Sequence, residues 1–257
     1  MDIAWLGLER QGEGEWSFDL TPPLSRFDGK FYGGTGIAVA TAIIEAETGR
    51  SALWATVQFV GSADIGERFD CRVEVLAAGR RTSQVRMTAT VGDRIVLEAI
   101  GATGDARTGP LNMQFGTMPG VPSPDETPEW RPNISIPIPR GVESWLTITE
   151  LRGVSVPGHD HAMWARMRDM PQTRATLGFL ADMVPSRVVS AAGRTGAGTS
   201  LDNAMRYGPR PQTEWILVEF DPYFAAGGYA HGGARLWAED GTLLGVASQT
   251  ATLLLFD

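Results

Sequence analysis

Lysine occurs once in this chain, at Lys30, and cysteine once, at Cys71. A single cysteine excludes an internal disulfide framework and makes a reducing cytoplasm the natural compartment. Three histidines (His159, His161 and His231) complete a poor stock of metal ligands, with no zinc-type spacing among them. His159-Asp160-His161 is the one cluster; after Pro157-Gly158 it reads as a solvated loop, with a metal site as the alternative. Neither metal nor organic cofactor is therefore expected. Positive charge is also short: 22 Lys and Arg face 30 Asp and Glu, for a net charge of -8. A nucleic-acid surface normally needs a basic stripe, so that class of partner is excluded. Long apolar runs are missing as well. The longest, Ile37 to Ile44, falls far short of the ~20 residues that span a bilayer, so no membrane partner is expected. The opening MDIAWLGLERQGEGEW has neither a basic segment nor an apolar core, so no secretory signal is expected.

What is present is an ordinary globular balance, 43% hydrophobic and 20% charged, in 257 residues. That length serves one large domain or two small ones. Residues 101–140 hold eight of the 16 prolines, and Pro119-Gly120-Val121-Pro122-Ser123-Pro124 suits neither helix nor central strand. The division is then residues 1–105, a connector at 106–145 pinned to the surface, and residues 146–257.

The two halves repeat one order of elements. In the first, Asp28-Gly29 opens a turn before a segment at 35–50 that is apolar almost all round, as in a buried helix. Gly49 is its expected C-terminal cap. Strands follow at 53–59, 68–77, 82–91 and 95–102, the last two joined at Gly92-Asp93. Alternation such as Val73-Glu74-Val75 fits an antiparallel sheet with one wet face. The second half offers a helix near 174–184, then strands at 199–207, 214–221, 228–237 and 243–256, with Asp240-Gly241 before the last. An internal duplication explains this better than one irregular sheet. The glycine-rich run 225–233 lacks Gly-Lys-Ser/Thr and opens no helix; it is a bend or bulged strand rather than a phosphate loop.

Several segments in the same order resemble the acyl-CoA thioesterase II family. They are Phe31-Tyr32-Gly33-Gly34 before the first helix, the run 67–102 with Gly79-Arg80 at its centre, and Ala181-Asp182-Met183-Val184-Pro185. Thr199-Ser200-Leu201-Asp202-Asn203 and Val246-Ala247-Ser248-Gln249 complete the set. The resemblance covers most of the chain. It implies an α+β fold, a tandem or double hotdog with two antiparallel sheets each wrapped around a buried central helix. It also implies hydrolysis of acyl-CoA to free acid and CoA, with a homodimer of double hotdogs as a possible assembly. In that family an aspartate, a threonine and a glutamine hold the attacking water, and these map onto Asp182, Ser200 and Gln249. Two departures stand out: serine replaces threonine at 200, and Asn203 and Arg206-Tyr207 replace the usual histidine and aromatics.

The chemistry suits those side chains. A thiol titrates near ~8.5, so the thiolate leaves without a strong acid, and an oriented water with a base is the main requirement. Asp182 is the candidate base, desolvated by Leu180, Met183 and Val184; alternatively it N-caps a short turn through Ser186 to Val189. Gln249 is the sharper signal, because alternation puts it on the core face with Ala247 and Ala251, where an amide needs a buried partner. A sheet-bridging amide without catalysis would satisfy the same pattern. Asp202 shares the Ser200 face if period two holds, and is either a rival base or an orienter of that hydroxyl. Gly33 and Gly34 would let a thioester carbonyl approach, or serve only the turn, while Phe179, Met183 and Ile37 would line the acyl chain. Two other classes compete: a non-catalytic acyl-thioester or lipid binder, and a hydratase, for which a histidine is missing from both helices.

Overall fold

The computed structural model describes residues 2–107, 109–130, 143–158 and 161–256. In chain order the elements are α1 (Asp2–Trp5), β1 (Glu9–Gly12), β2 (Glu15–Asp19), α2 (Gly33–Thr48), β3 (Ser51–Phe59), β4 (Arg68–Ala78), β5 (Thr82–Val91) and β6 (Arg94–Gly104). Then come β7 (Thr149–Gly153), β8 (Ala162–Met167), α3 (Arg174–Ala181), α4 (Val184–Ala191), β9 (Gly196–Tyr207), β10 (Ile216–Ala226), β11 (Tyr229–Ala238) and β12 (Leu243–Leu255).

All strands join one antiparallel sheet of 12, ordered β1-β2-β4-β5-β6-β3-β9-β12-β11-β10-β8-β7. Read outward from the centre, the two halves carry the same succession: β3, β6, β5, β4, β2 on one side and β9, β12, β11, β10, β8 on the other. Where sequence suggested two sheets, the structure joins them at β3 and β9, which pair from Trp54↔Arg206 to Gln58↔Asp202. Each would otherwise be an open edge with unpaired backbone groups, and pairing removes both edges together.

α2 is buried from Gly33 to Ile44 and ends at Gly49, whose φ of 63° closes the helix with its amide on the Glu45 carbonyl. An apolar helix of this kind has no wet face to offer, so it sits against one face of the sheet and packs on α3 of the other half. A helix was expected near 174–184 alone; the structure has α3 and, past it, a second helix α4, and the two do not fuse into one continuous helix. Pro185 prevents it: proline lacks the amide and its ring collides with the carbonyl four residues back. The chain therefore stops at Ala181 and restarts at Val184.

The four strands unseen in the sequence have physical reasons for their silence. β1 is only four residues long, and β2 and β7 are only five each. β8 is buried on both faces (Ala162, Met163, Trp164 and Ala165 in succession), so it shows no alternation. The segment before residue 130 crosses the outer face. Trp164 Nε1 donates to the Pro122 carbonyl at 2.8 Å, and Met118 and Val121 cover Trp164, Trp215 and Trp237. The connector proposed at 106–145 includes residues 131–142, which lie outside the described residues. The glycine-rich run is the β10–β11 hairpin, with a bulge between Pro222 and Phe224. No helix among the described residues is long and apolar enough to cross a membrane.

Candidate active site

The break at Pro185 leaves Asp182 at the junction of two helices, buried (9% exposed) and off the regular helical hydrogen-bond ladder. Its side chain caps neither helix: Met183 occupies the N-cap of α4, and the carboxylate turns instead toward the sheet. Gln249, on β12, donates through Nε2 to Asp182 Oδ1 at 2.5 Å and to Ser200 Oγ at 2.8 Å. The three polar side chains picked from the sequence thus meet, from segments 18 and more residues apart, in one cluster that is buried at Asp182 and Gln249 and half-buried at Ser200. Asn203 joins them, its Nδ2 3.0 Å from the same Oδ1.

The first half contributes the opposite wall. A methyl group on Gly33 would lie 2.6 Å from Asp182 Oδ2, so the start of α2 rests directly on the carboxylate. A methyl on Gly34 would meet the Phe179 carbonyl at 2.5 Å and the Tyr32 ring. Gly34 is therefore required for close packing of α2 on the end of α3, and Gly33 for the close approach of α2 to the carboxylate. Tyr32 stacks on Trp145, with centroids 4.9 Å apart, and its hydroxyl donates to the Phe179 carbonyl at 3.1 Å.

Burial dominates the electrostatics and pushes the Asp182 carboxyl from its ordinary 3.8 up to about 7. Hydrogen bonds from Asn203, Gln249 and the Gly34 amide, and more distantly the charge of Arg26, oppose that rise. Tyr32 is pushed well above its usual value, first by burial and then by the negative charge of Asp182. The result is a carboxyl poised near neutrality, the condition that suits a general base.

Other expectations fare differently. Asp202 does not share the Ser200 face. The β9–β12 register runs Thr250↔Asp202 and then Ala251↔Ser200, so Leu201 is an extra residue in β9 and inverts the alternation. Asp202 is turned to the outer face, where its carboxylate accepts from the Thr250 amide at 2.7 Å, and Asn203 takes the inner position. A bulge leaves no mark in composition, which is why Asn203 was missed and Asp202 preferred. Phe179 is fully buried, its ring edge-on to Trp5 and Tyr32, and Met183 is 5% exposed. Among the described residues no group of three His, Cys, Asp or Glu side chains could hold a metal ion. Of the His159-Asp160-His161 cluster, the first two lie outside those residues.

Comparison with known proteins identifies two family matches in tandem. Residues 20–104 match the model of the acyl-CoA thioesterase N-terminal domain, and residues 115–253 that of the acyl-CoA thioesterase C-terminal domain. Among solved structures, a Novosphingobium aromaticivorans protein provisionally named a thioesterase is 29% identical, with a TM-score of 0.86 over 96% of this chain and 98% of its own. The acyl-CoA thioesterase II TesB2 of Mycobacterium marinum is 21% identical (TM-score 0.75), covering 99% of this chain and 98% of its own; at that identity it speaks for the fold alone. Another fold match is the tesB protein of Mycobacterium avium subsp. paratuberculosis, at 20% identity and a TM-score of 0.79 over 98% of each chain. No curated protein matches the chain.

Proposed function

The chain belongs to the acyl-CoA thioesterase family and is a thioester hydrolase, and we propose that it cleaves acyl-CoA by a water molecule held between Asp182, Ser200 and Gln249. The observation that carries this reading is the single Gln249 nitrogen that reaches both Asp182 Oδ1 and Ser200 Oγ. On the same reading the fold is a double hotdog: units 1–105 and 146–257, each half-sheet curved over its own helix, joined by 106–145. The site then lies where the two units meet.

Asp182 takes a proton from the water as its oxygen attacks the thioester carbon. One C–O bond forms and the carbonyl π pair moves to oxygen. Collapse of that intermediate breaks the C–S bond and sends the electron pair to sulfur. The proton on Asp182 then passes to the thiolate or to solvent, and the acid gives up its remaining proton to solvent and leaves as carboxylate. Gln249 Oε1 is buried with no protein donor among the described residues, which suits it to accept the second hydrogen of the water. The Ser200 hydroxyl, already accepting from Gln249, has its own hydrogen left to donate.

Thiol release from a panel of acyl-CoAs of increasing chain length tests the assignment. Asp182→Asn and Gln249→Ala should each lose most turnover; two variants as fast as the parent would overturn it.

A further inference from the structure

Asn203 and Gln249 are direct register partners on β9 and β12. Their side-chain nitrogens close on one and the same oxygen, Asp182 Oδ1, at 3.0 and 2.5 Å. Among the described residues no side chain donates to Oδ2, and the carboxylate's one further donor is the backbone amide of Gly34. Both side-chain amides are 1% exposed, and both keep a carbonyl oxygen with no protein donor among the described residues. A purely structural amide in a core is normally satisfied at both ends. These two spend their donors on the carboxylate and leave their acceptors buried beside it.

From this cross-strand clamp we propose that Asn203 is a positioning residue: it pins Oδ1 and thereby reserves Oδ2 of Asp182 for the proton of the water. The inference rests on the reading of Asp182 as the base. A donor aimed at one carboxylate oxygen stabilises the ionised form and fixes the torsion of the group, so the other oxygen keeps one direction. The charged and titratable groups facing Asp182 are few: Tyr32 from the N-cap of α2 and, further away, Arg26; the neighbours on β9 and β12 are neutral amides and a hydroxyl. Loss of the Asn203 donor therefore has no charged substitute nearby.

The test pairs Asn203→Leu, which keeps the branched shape without the amide, with Asn203→Ser, which keeps a small polar group should the first fold poorly. Two readouts are taken. Carboxyl titration by carbon NMR on aspartate-labelled protein, assigned with Asp182→Asn, follows the base without any turnover. The pH profile of acyl-CoA hydrolysis follows its work. The expected result is an Asp182 midpoint raised by about one pH unit and kcat lowered on the order of tenfold to a hundredfold, with KM within about threefold. An unchanged midpoint together with unchanged kcat in a folded variant would overturn the proposal and leave Asn203 as filler. The two claims separate cleanly: a midpoint raised in the variant, beside a parent that releases no thiol, supports the clamp and sinks the proposed reaction.

Discussion

The side-chain nitrogen of Gln249, on β12, lies 2.5 Å from the carboxylate of Asp182, which sits between α3 and α4. One residue is delivered by the sheet and the other by a helix break, and neither is held by local sequence. Their meeting depends on Pro185 interrupting one helix and on alternation holding along β12 as far as residue 249. If that contact serves catalysis, Ser200→Ala should retain more activity than Asp182→Asn. It removes a neutral partner, expected to cost about tenfold to a hundredfold, against about 10³ or more for the base. Comparison of kcat/KM for the two variants on one acyl-CoA checks the ordering.

Activity should also follow the ionisation of Asp182. Its carboxyl is pushed up to about 7 by burial, and only the ionised form can accept a proton. kcat/KM is therefore expected to rise with pH through about 7 and then level. A profile flat from pH 5 to 9 in the parent would remove Asp182 from the role.

The glycines at the start of α2 should respond differently from one another. A methyl on Gly33 would press on the carboxylate itself, so Gly33→Ala is expected to lower kcat at least about tenfold while melting close to the parent. On Gly34 it would press on the Phe179 backbone, which yields poorly, so Gly34→Ala should cost about 1–3 kcal/mol of stability. Denaturant melts set beside kcat separate the two effects.

Much of this site was legible because its determinants are periodic. Gln249 stood out as an amide in a row of core-facing positions, and β12 does bury Ala247, Gln249 and Ala251 in turn. The apolar α2 with its glycine cap, and the repeat of helix and strands, were equally plain. What stayed hidden depends on single-residue irregularities or on contacts between halves. The bulge at Leu201 exchanged Asp202 for Asn203, and the β3–β9 pairing that makes one sheet has no local signature. The close approach of Gly33 to Asp182 spans the two halves and is visible only in space.

That exchange yields a prediction of its own. Asp202 spends its carboxylate on the Thr250 amide, on the face opposite Asp182. Asp202→Asn keeps an oxygen for that amide and should leave kcat/KM within about threefold of the parent, at a stability cost on the order of 1 kcal/mol. Loss of activity comparable to that of Asp182→Asn would return Asp202 to the reaction.

Burial of an acid with a raised pKa also sets how stability varies with pH. The folded carboxyl of Asp182 titrates at about 7, whereas in the unfolded chain it returns toward 3.8. Below 3.8 both states hold the proton and the buried neutral acid contributes fully. As pH rises from there the unfolded chain ionises first, so stability falls, and the contribution has gone once pH passes about 7. The interval corresponds to on the order of 4 kcal/mol. Asp182→Asn carries no such proton, and its oxygen can still accept from Asn203 or Gln249. The variant should therefore match the parent near pH 4 and melt progressively higher than it up to about pH 7, with a constant gap above. All other carboxylates are common to both proteins and cancel in the difference. Paired thermal melts from pH 4 to 9 measure it; a gap that stays constant across that range would mean that Asp182 is ionised in the fold throughout.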